Sequence, residues 1–162
     1  MKPVKAAIGI QYAALPYRIQ ARQVQILLIT SRGTQRWVIP KGWPMRGLKP
    51  QDAAAIEASE EAGLVGEIEP QPLGSYHYLK RLKTGEDAAV QVIVFAFRVS
   101  FQAEAWKEQG QRELRWVGYR RAAQLVAEPA LSRLIRDFGA ARTPTLLARG
   151  LRSYRNWRLA RA

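Results

Sequence analysis

The spacing of apolar and polar positions divides the chain into strand-like and helix-like stretches. Residues 4–13 (Val-Lys-Ala-Ala-Ile-Gly-Ile-Gln-Tyr-Ala) and 24–30 (Val-Gln-Ile-Leu-Leu-Ile-Thr) are apolar and partly β-branched, and both are expected to be strands. The polar segment between them contains Pro16 and is expected to be a loop. Residues 31–35 read as a turn, and Trp37-Val-Ile as a short strand stopped by Pro40. Residues 66–79 should hold one or two strands. The nearly continuous apolar run from Ala88 to Phe101 predicts a strand buried on both faces. A polar loop over 104–112 leads to a short strand at Leu114-Arg-Trp-Val, and residues 120–126 and 128–138 predict two helices separated near Pro129. Alternation of this kind implies a mixed sheet covered by helices on both sides, an α/β class.

The stretch from Gly42 to Leu64 has a different rhythm. Residues 42–47 form a loop punctuated by Gly42, Pro44 and Gly47. Pro50 suits a first helical position, where its missing N–H is unneeded. Strong helix formers follow, and Gly63 stands where a left-handed residue ends a helix. Ala54, Ala58 and Ala62 recur every four residues and give a small-residue face able to lie close to a sheet. Glu57, Glu60 and Glu61 crowd another face at spacings of three and four. Like charges at those spacings repel by a few tenths of a kcal/mol per pair. A hard divalent cation would neutralise them.

Charge sharpens this oddity. The chain has 162 residues, 26 Lys and Arg against 13 Asp and Glu, and a formal net charge of +13. Such a chain attracts polyanions: nucleic acid, polyphosphorylated small molecules or an acidic membrane surface. Its length fits one domain, and no apolar stretch approaches the roughly 20 residues needed to span a bilayer. The basic and apolar N-terminus ends within a few residues at Gln11 and reads as a first strand rather than a signal peptide. There are no cysteines, which rules out disulfides, thiolate metal sites and cysteine nucleophiles and fits a cytoplasmic protein. His77 is the single histidine and reads as a strand residue, so no metal site can be built from histidines.

The 23 residues from Gly42 to Leu64 resemble the Nudix box, G-x5-E-x7-R-E-U-x-E-E-x-G-U, with U aliphatic. Gly42, Glu57, Glu60, Glu61, Gly63 and Leu64 fall in register, and Ala58 fills an aliphatic position. Leu48 stands where the pattern has its first Glu, and Ile56 where it has Arg. An apolar pair can replace an ion pair without loss of stability, so Leu48 and Ile56 are expected to pack together. The resemblance implies a Nudix-type α/β/α sandwich with a mixed central sheet, over residues 1–139. Residues 140–162 would form a basic helical tail. There, Arg149, Arg152, Arg155, Arg158 and Arg161 recur among Leu147, Leu151, Tyr154 and Trp157. Its apolar stripe is expected to dock on the domain or on a second subunit of a homodimer; polyanion contact and a membrane surface are the alternatives.

The resemblance also implies chemistry: Mg²⁺-dependent hydrolysis of a diphosphate linkage, with Mn²⁺ as a substitute ion. Glu60 and Glu61 would be the principal metal ligands, with the Gly42 carbonyl as another. Glu57 would bind metal or act as general base. An acidic residue outside the box often assists in the family, and Glu108 is the first candidate for that role, ahead of Glu113. Looser similarity around residues 40–45, 106–108 and 112–116 points to the diphosphoinositol polyphosphate and diadenosine polyphosphate hydrolase branch. Candidate phosphate binders are Arg32, Arg36, Lys41, Arg46 and Lys49, with Lys41 foremost. A base could stack on Trp43, whereas Trp37 reads as a packing residue. Two other readings stay open: an RNA 5′ pyrophosphohydrolase with nucleic acid on the basic surface, and a catalytically inactive binding module for nucleotide or nucleic acid.

Overall fold

The computed structural model of the chain describes residues 9–144. In order these form β1 (Gly9–Gln20), β2 (Gln23–Thr30), β3 (Trp37–Val38), β4 (Lys41–Gly42), α1 (Pro50–Ala62), β5 (Leu64–Arg81), β6 (Asp87–Gln102), β7 (Leu114–Gly118), α2 (Tyr119–Leu125) and α3 (Pro129–Arg142). The strands make one mixed sheet in the order β3-β2-β1-β6-β5; β4 pairs with β1 and β7 with β2. The β1–β6 pairing is parallel and the rest are antiparallel.

Successive side chains of a strand point to opposite faces, so each central strand feeds two cores. Ala13, Leu15 and Tyr17 of β1, Ile26 and Leu28 of β2, and Val92, Val94 and Ala96 of β6 meet α2 and α3 through Ala122, Leu131, Ile135 and Phe138. On the other face, Ala14, Leu27, Ile29, Phe95 and Phe97 meet Ala54, Ala58 and Ala62 of α1. This is the expected α/β/α sandwich. The run at 88–97 is buried or half-buried on both faces, but the burial expected to continue to Phe101 stops there: Arg98, Ser100 and Phe101 are exposed.

One expected loop proves to be strand. β1 continues through Pro16 to Gln20 and turns into β2 at Ala21-Arg22, where both residues have positive φ (49° and 64°). A two-residue hairpin requires that left-handed pair, normally supplied by Asn and Gly, so the local sequence gave no sign of it. Pro16 is tolerated because it falls between two stretches of antiparallel pairing, with β4 at residues 12–13 and β2 from Tyr17 onward. Segment 66–79 is a single strand, β5, which absorbs shifts of register on either side of Pro72.

Helix α1 is placed by its ends as much as by its alanines. Pro50 opens it, and Gly63 closes it at φ 68° with its N–H donating to Ala58 O and Ser59 O. A side chain at Gly63 would overlap the Trp106 ring, which lies across this cap. Helix α3 runs four residues past the end expected at 138, and Arg142 reaches Glu69 at 2.5 Å and donates to Tyr17 Oη at 2.9 Å. Residues 4–8 of the first predicted strand and the arginine-rich stretch 149–161 lie outside the described residues.

Because Ala58 is fully buried between helix and sheet, its size sets how close α1 sits. Ala58→Leu is expected to destabilise by about 1–3 kcal/mol through overpacking. Urea unfolding measures this, and an unchanged midpoint would contradict the close helix–sheet contact.

Candidate active site

The acidic face of α1 looks into a cleft of about 860 Å³ between the loop 31–45, strand β5 and the loop 103–113. Glu57 lies nearest the chain before the helix. A Cβ at Gly42 would fall inside its carboxylate, so only glycine lets the α1 side chain rest on the β4 backbone. Burial raises the Glu57 pKa, and the charges of Glu60 and Glu108 push it further in the same direction.

Glu60, one turn on, is half-buried and accepts from Lys107 Nζ at 3.1 Å. Glu61 is only 7% exposed. Its Oε1 takes the Arg112 guanidinium at 2.6 Å, and its Oε2 takes the Lys41 N–H at 3.1 Å. Burial drives the Glu61 carboxyl up to about 7, against the opposing pull of Arg112 and Lys41. Burial likewise lowers the Lys41 ammonium, whose Nζ stands 5.2 Å from the centre of the Tyr78 ring.

The loop between β6 and β7 completes the wall. It is strapped to the carboxyl end of α1 by Glu108 N–H to Glu60 O (3.0 Å) and Gln102 Nε2 to Ala62 O (2.9 Å), which satisfy carbonyls that a helix end leaves free. The strap sets Glu108 beside Glu60 in the cleft, where it pairs with Arg32 at 3.0 Å. Arg112 is buried, donates to Thr30 O at 3.0 Å, and lies 3.7 Å from Glu108 as well as against Glu61.

Of the residues expected from sequence, Glu57, Glu60, Glu61, Glu108, Gly42, Arg32, Arg36, Lys41 and Trp43 all line the cleft. Arg46 and Lys49 are not among its lining residues; both are exposed on the loop leading into α1. Glu113 is also outside the cleft, exposed and paired with Arg115 at 3.0 Å. Trp37 packs against the α2–α3 core, as a strand residue should, and His77 is an exposed residue of β5. The apolar replacement of an ion pair by Leu48 and Ile56 finds no support: Leu48 is 43% exposed, and neither residue joins a core. The loop is instead tied to α1 through Glu61 and the Lys41 N–H.

Arg112, Lys107, Glu128, Tyr76 and Tyr78 complete the cleft without having been picked out as site residues. The two tyrosines share one face of β5 by period-two spacing, a signal present in the sequence. Nothing local marks Arg112 or Glu128, whose partners lie 51 and 92 residues away.

The oxygen-rich face suits a hard divalent ion. The Glu57 carboxylate over a side-chain-free Gly42, crowded by two other carboxylates, is the kind of cradle Mg²⁺ uses with a few protein oxygens and substrate phosphates. Among the described residues, no three acidic or histidine side chains converge into a ready-made cage. Glu60 and Glu61 are held by the cations of Lys107 and Arg112.

The NUDIX domain family model matches residues 11–138. Nudix hydrolase 12, mitochondrial, from Arabidopsis thaliana is 29% identical over 119 residues, covering 72% of this chain and 59% of that protein. Nudix hydrolase 4 from the same plant is 31% identical over 120 residues, covering 68% of this chain and 56% of that protein. The chain thus spans less than two thirds of the length of these relatives. Among solved structures, a Caenorhabditis elegans Ap4A hydrolase binary complex aligns with TM-score 0.61 at 20% identity, over 82% of this chain and 96% of that one. The NUDIX domain of Shewanella oneidensis NrtR, complexed with ADP ribose, aligns with TM-score 0.60 at 17% identity, over 82% and 88%. The structural likeness establishes the fold, and the domain match establishes the family. This chain belongs to the Nudix family.

Two outcomes test the electrostatics of the site. Arg112→Met alone should cost about 3–5 kcal/mol, since it strands a buried carboxylate, whereas Arg112→Met with Glu61→Leu should cost far less. Equal losses in single and double variants would contradict a coupled pair. In metal-free protein the raised Glu61 pKa means the folded state holds a proton that the unfolded chain has released. Stability should therefore fall as pH rises from the ordinary 4.5 to about 7. Glu61→Gln should flatten that slope in thermal melts, and a slope that survives the substitution would assign it to another group.

Proposed function

We propose that the protein is a divalent-metal-dependent pyrophosphohydrolase that cleaves a phosphoanhydride bond in a polyphosphorylated substrate, such as a dinucleoside polyphosphate or another nucleoside diphosphate derivative. The observation that carries this reading is the Glu57–Gly42 cradle on the floor of a cleft walled by Arg32, Arg36, Lys41 and Lys107. Carboxylates to hold a cation and cations to hold phosphates stand within one cavity. The names of two structural neighbours, an Ap4A hydrolase and a domain complexed with ADP ribose, support a nucleotide-derived ligand.

Mg²⁺, with Mn²⁺ as a substitute, would polarise a phosphoryl oxygen and make water a better nucleophile. In this reading Glu57, Glu60 and the Gly42 carbonyl would hold the ion. Glu61, with both oxygens already bonded, would act chiefly as a brace between α1, β4 and Arg112. Glu108, delivered beside Glu60 by a separate element, is the base that takes the proton of the attacking water. Lys41 and Arg36 orient the diphosphate. Lys107, which pairs with Glu60 at 3.1 Å, would be free to reach a phosphate oxygen if a bound cation neutralised that carboxylate. Such fixed donors lower the barrier because charge grows on the phosphoryl oxygens and leaving group. The absence of cysteine suits a reducing compartment, the cytoplasm in this reading.

Product release should therefore require Mg²⁺ or Mn²⁺ and stop on chelation. Glu57→Gln, Glu60→Gln and Glu108→Gln should each lower kcat by about 10²–10⁴ while leaving the fold intact by circular dichroism. The substrate panel should comprise dinucleoside polyphosphates, sugar nucleotides, diphosphoinositol polyphosphates and triphosphorylated RNA. Release only from triphosphorylated RNA would favour a 5′ pyrophosphohydrolase. Tight RNA binding with no turnover would favour a binding module. Gln variants as active as wild type would refute the site.

A further inference from the structure

One end of the sheet is bare on the face against which α3 packs. Leu64 turns into the α1 core, so by strand alternation Val65, Glu67 and Glu69 point to the opposite face. Arg142 of α3 pairs with Glu69 and donates to Tyr17 Oη, which identifies that face as the one α3 covers. Val65 stands opposite Phe101 of β6 in the strand register, and the two are 39% and 59% exposed. Neither joins the core that α3 forms with the sheet. An apolar cross-strand pair left in water beside the end of a covering helix is a place for a further segment to dock.

The course of the chain points to the occupant. Leu134 lies over Gly74 of β5 and Arg142 reaches Glu69, so α3 runs along β5 toward Val65. Thr143 leaves the helix in an extended conformation, and the described residues end at Pro144. From Glu69 to Val65 the strand covers about 13 Å, at roughly 3.3 Å per residue. Residues 143–146, if extended, cover the same distance and bring Leu147 to the pair. Leu151 and Tyr154 follow at intervals of four and three, one face of a helix, with Arg149 and Arg152 on the other side. We propose that Leu147, Leu151 and Tyr154 dock on Val65 and Phe101 of the same molecule, extending the helical layer past α3. Residues 145–162 carry five arginines and no acid, so this stripe is the part the sheet can bury without stranding a charge. The short tether favours the contact within one chain over the same contact with a second copy, because it holds the segment at high effective concentration.

The chain contains no cysteine, so introduced pairs report contact without interference. In the full chain, Phe101→Cys is combined in turn with Leu147→Cys, Leu151→Cys and Tyr154→Cys and oxidised at low protein concentration. The expected product is a disulfide within one chain for at least one pair. The same three partners combined with Leu79→Cys, an exposed position at the other end of β5, should form none. The segment's own arginines give a second readout, because proteolysis follows the population of the open form. Phe101→Asp should speed trypsin cleavage after Arg149, Arg152 and Arg155 by about ten- to a hundredfold, with cleavage after Arg46 in the exposed loop unchanged. Leu151→Asp, outside the sheet and α3, should give the same acceleration and serves if the Phe101 variant does not fold. Disulfides only between chains would overturn the proposal in favour of a second copy. Equal crosslinking at positions 101 and 79, or cleavage rates that neither substitution changes, would overturn it as well. Protection from trypsin that appears only with added RNA would overturn it in favour of a polyanion contact.

Discussion

The ion pair between Arg112 and Glu61, 2.6 Å long with both side chains under a tenth exposed, holds the working parts of this protein in register. Through Glu61 it fixes α1, and through the Lys41 N–H it fixes the loop before the helix. Through Thr30 O it fixes the end of β2, and through its own position it fixes the loop before β7. Four segments distant in sequence meet at one guanidinium and one carboxylate. The pair is costly to bury, and burial shows in the raised pKa of Glu61. Its value lies in geometry: removing one partner would release the carboxylate face from the glycine that it must touch.

That arrangement also accounts for a departure within the Nudix box. Leu48 and Ile56 stand where the pattern has Glu and Arg, and they do not close the loop by burying an apolar contact. In this chain an arginine from outside the box braces an acid within it. The same economy recurs at Lys107 and Arg32, which pair with Glu60 and Glu108. A strongly basic protein can keep its carboxylates crowded because its own side chains neutralise them.

How much could be read from the sequence follows from how local each cause is. Helix α1 was legible to the residue because Pro50, the alanine stripe and Gly63 all act within a turn or two. The two-faced burial of β6 was legible from its composition, and Glu57, Glu60 and Glu61 from spacing and charge. The hairpin at Ala21-Arg22 was hidden because neither residue is one that favours positive φ, and Pro16 then misdirected the reading toward a loop. Arg46 and Lys49 were picked out as phosphate binders by nearness in sequence, and both stand exposed on the loop beside the cleft rather than in its lining. Arg112, noticed only within the looser similarity at 112–116, and Glu128 could not be placed in the site from sequence, since their roles exist only once β2, α1 and α3 are packed.

The account stands or falls on where a divalent ion sits. A crystal of the full chain soaked with Mn²⁺ and α,β-methylene ADP would show it by anomalous scattering. The prediction is a peak within coordinating distance of Glu57, Glu60 and the Gly42 carbonyl, with the diphosphonate reaching from it toward Lys41. A peak bound elsewhere, or none at that cradle when the nucleotide is clearly held in the cleft, would contradict it.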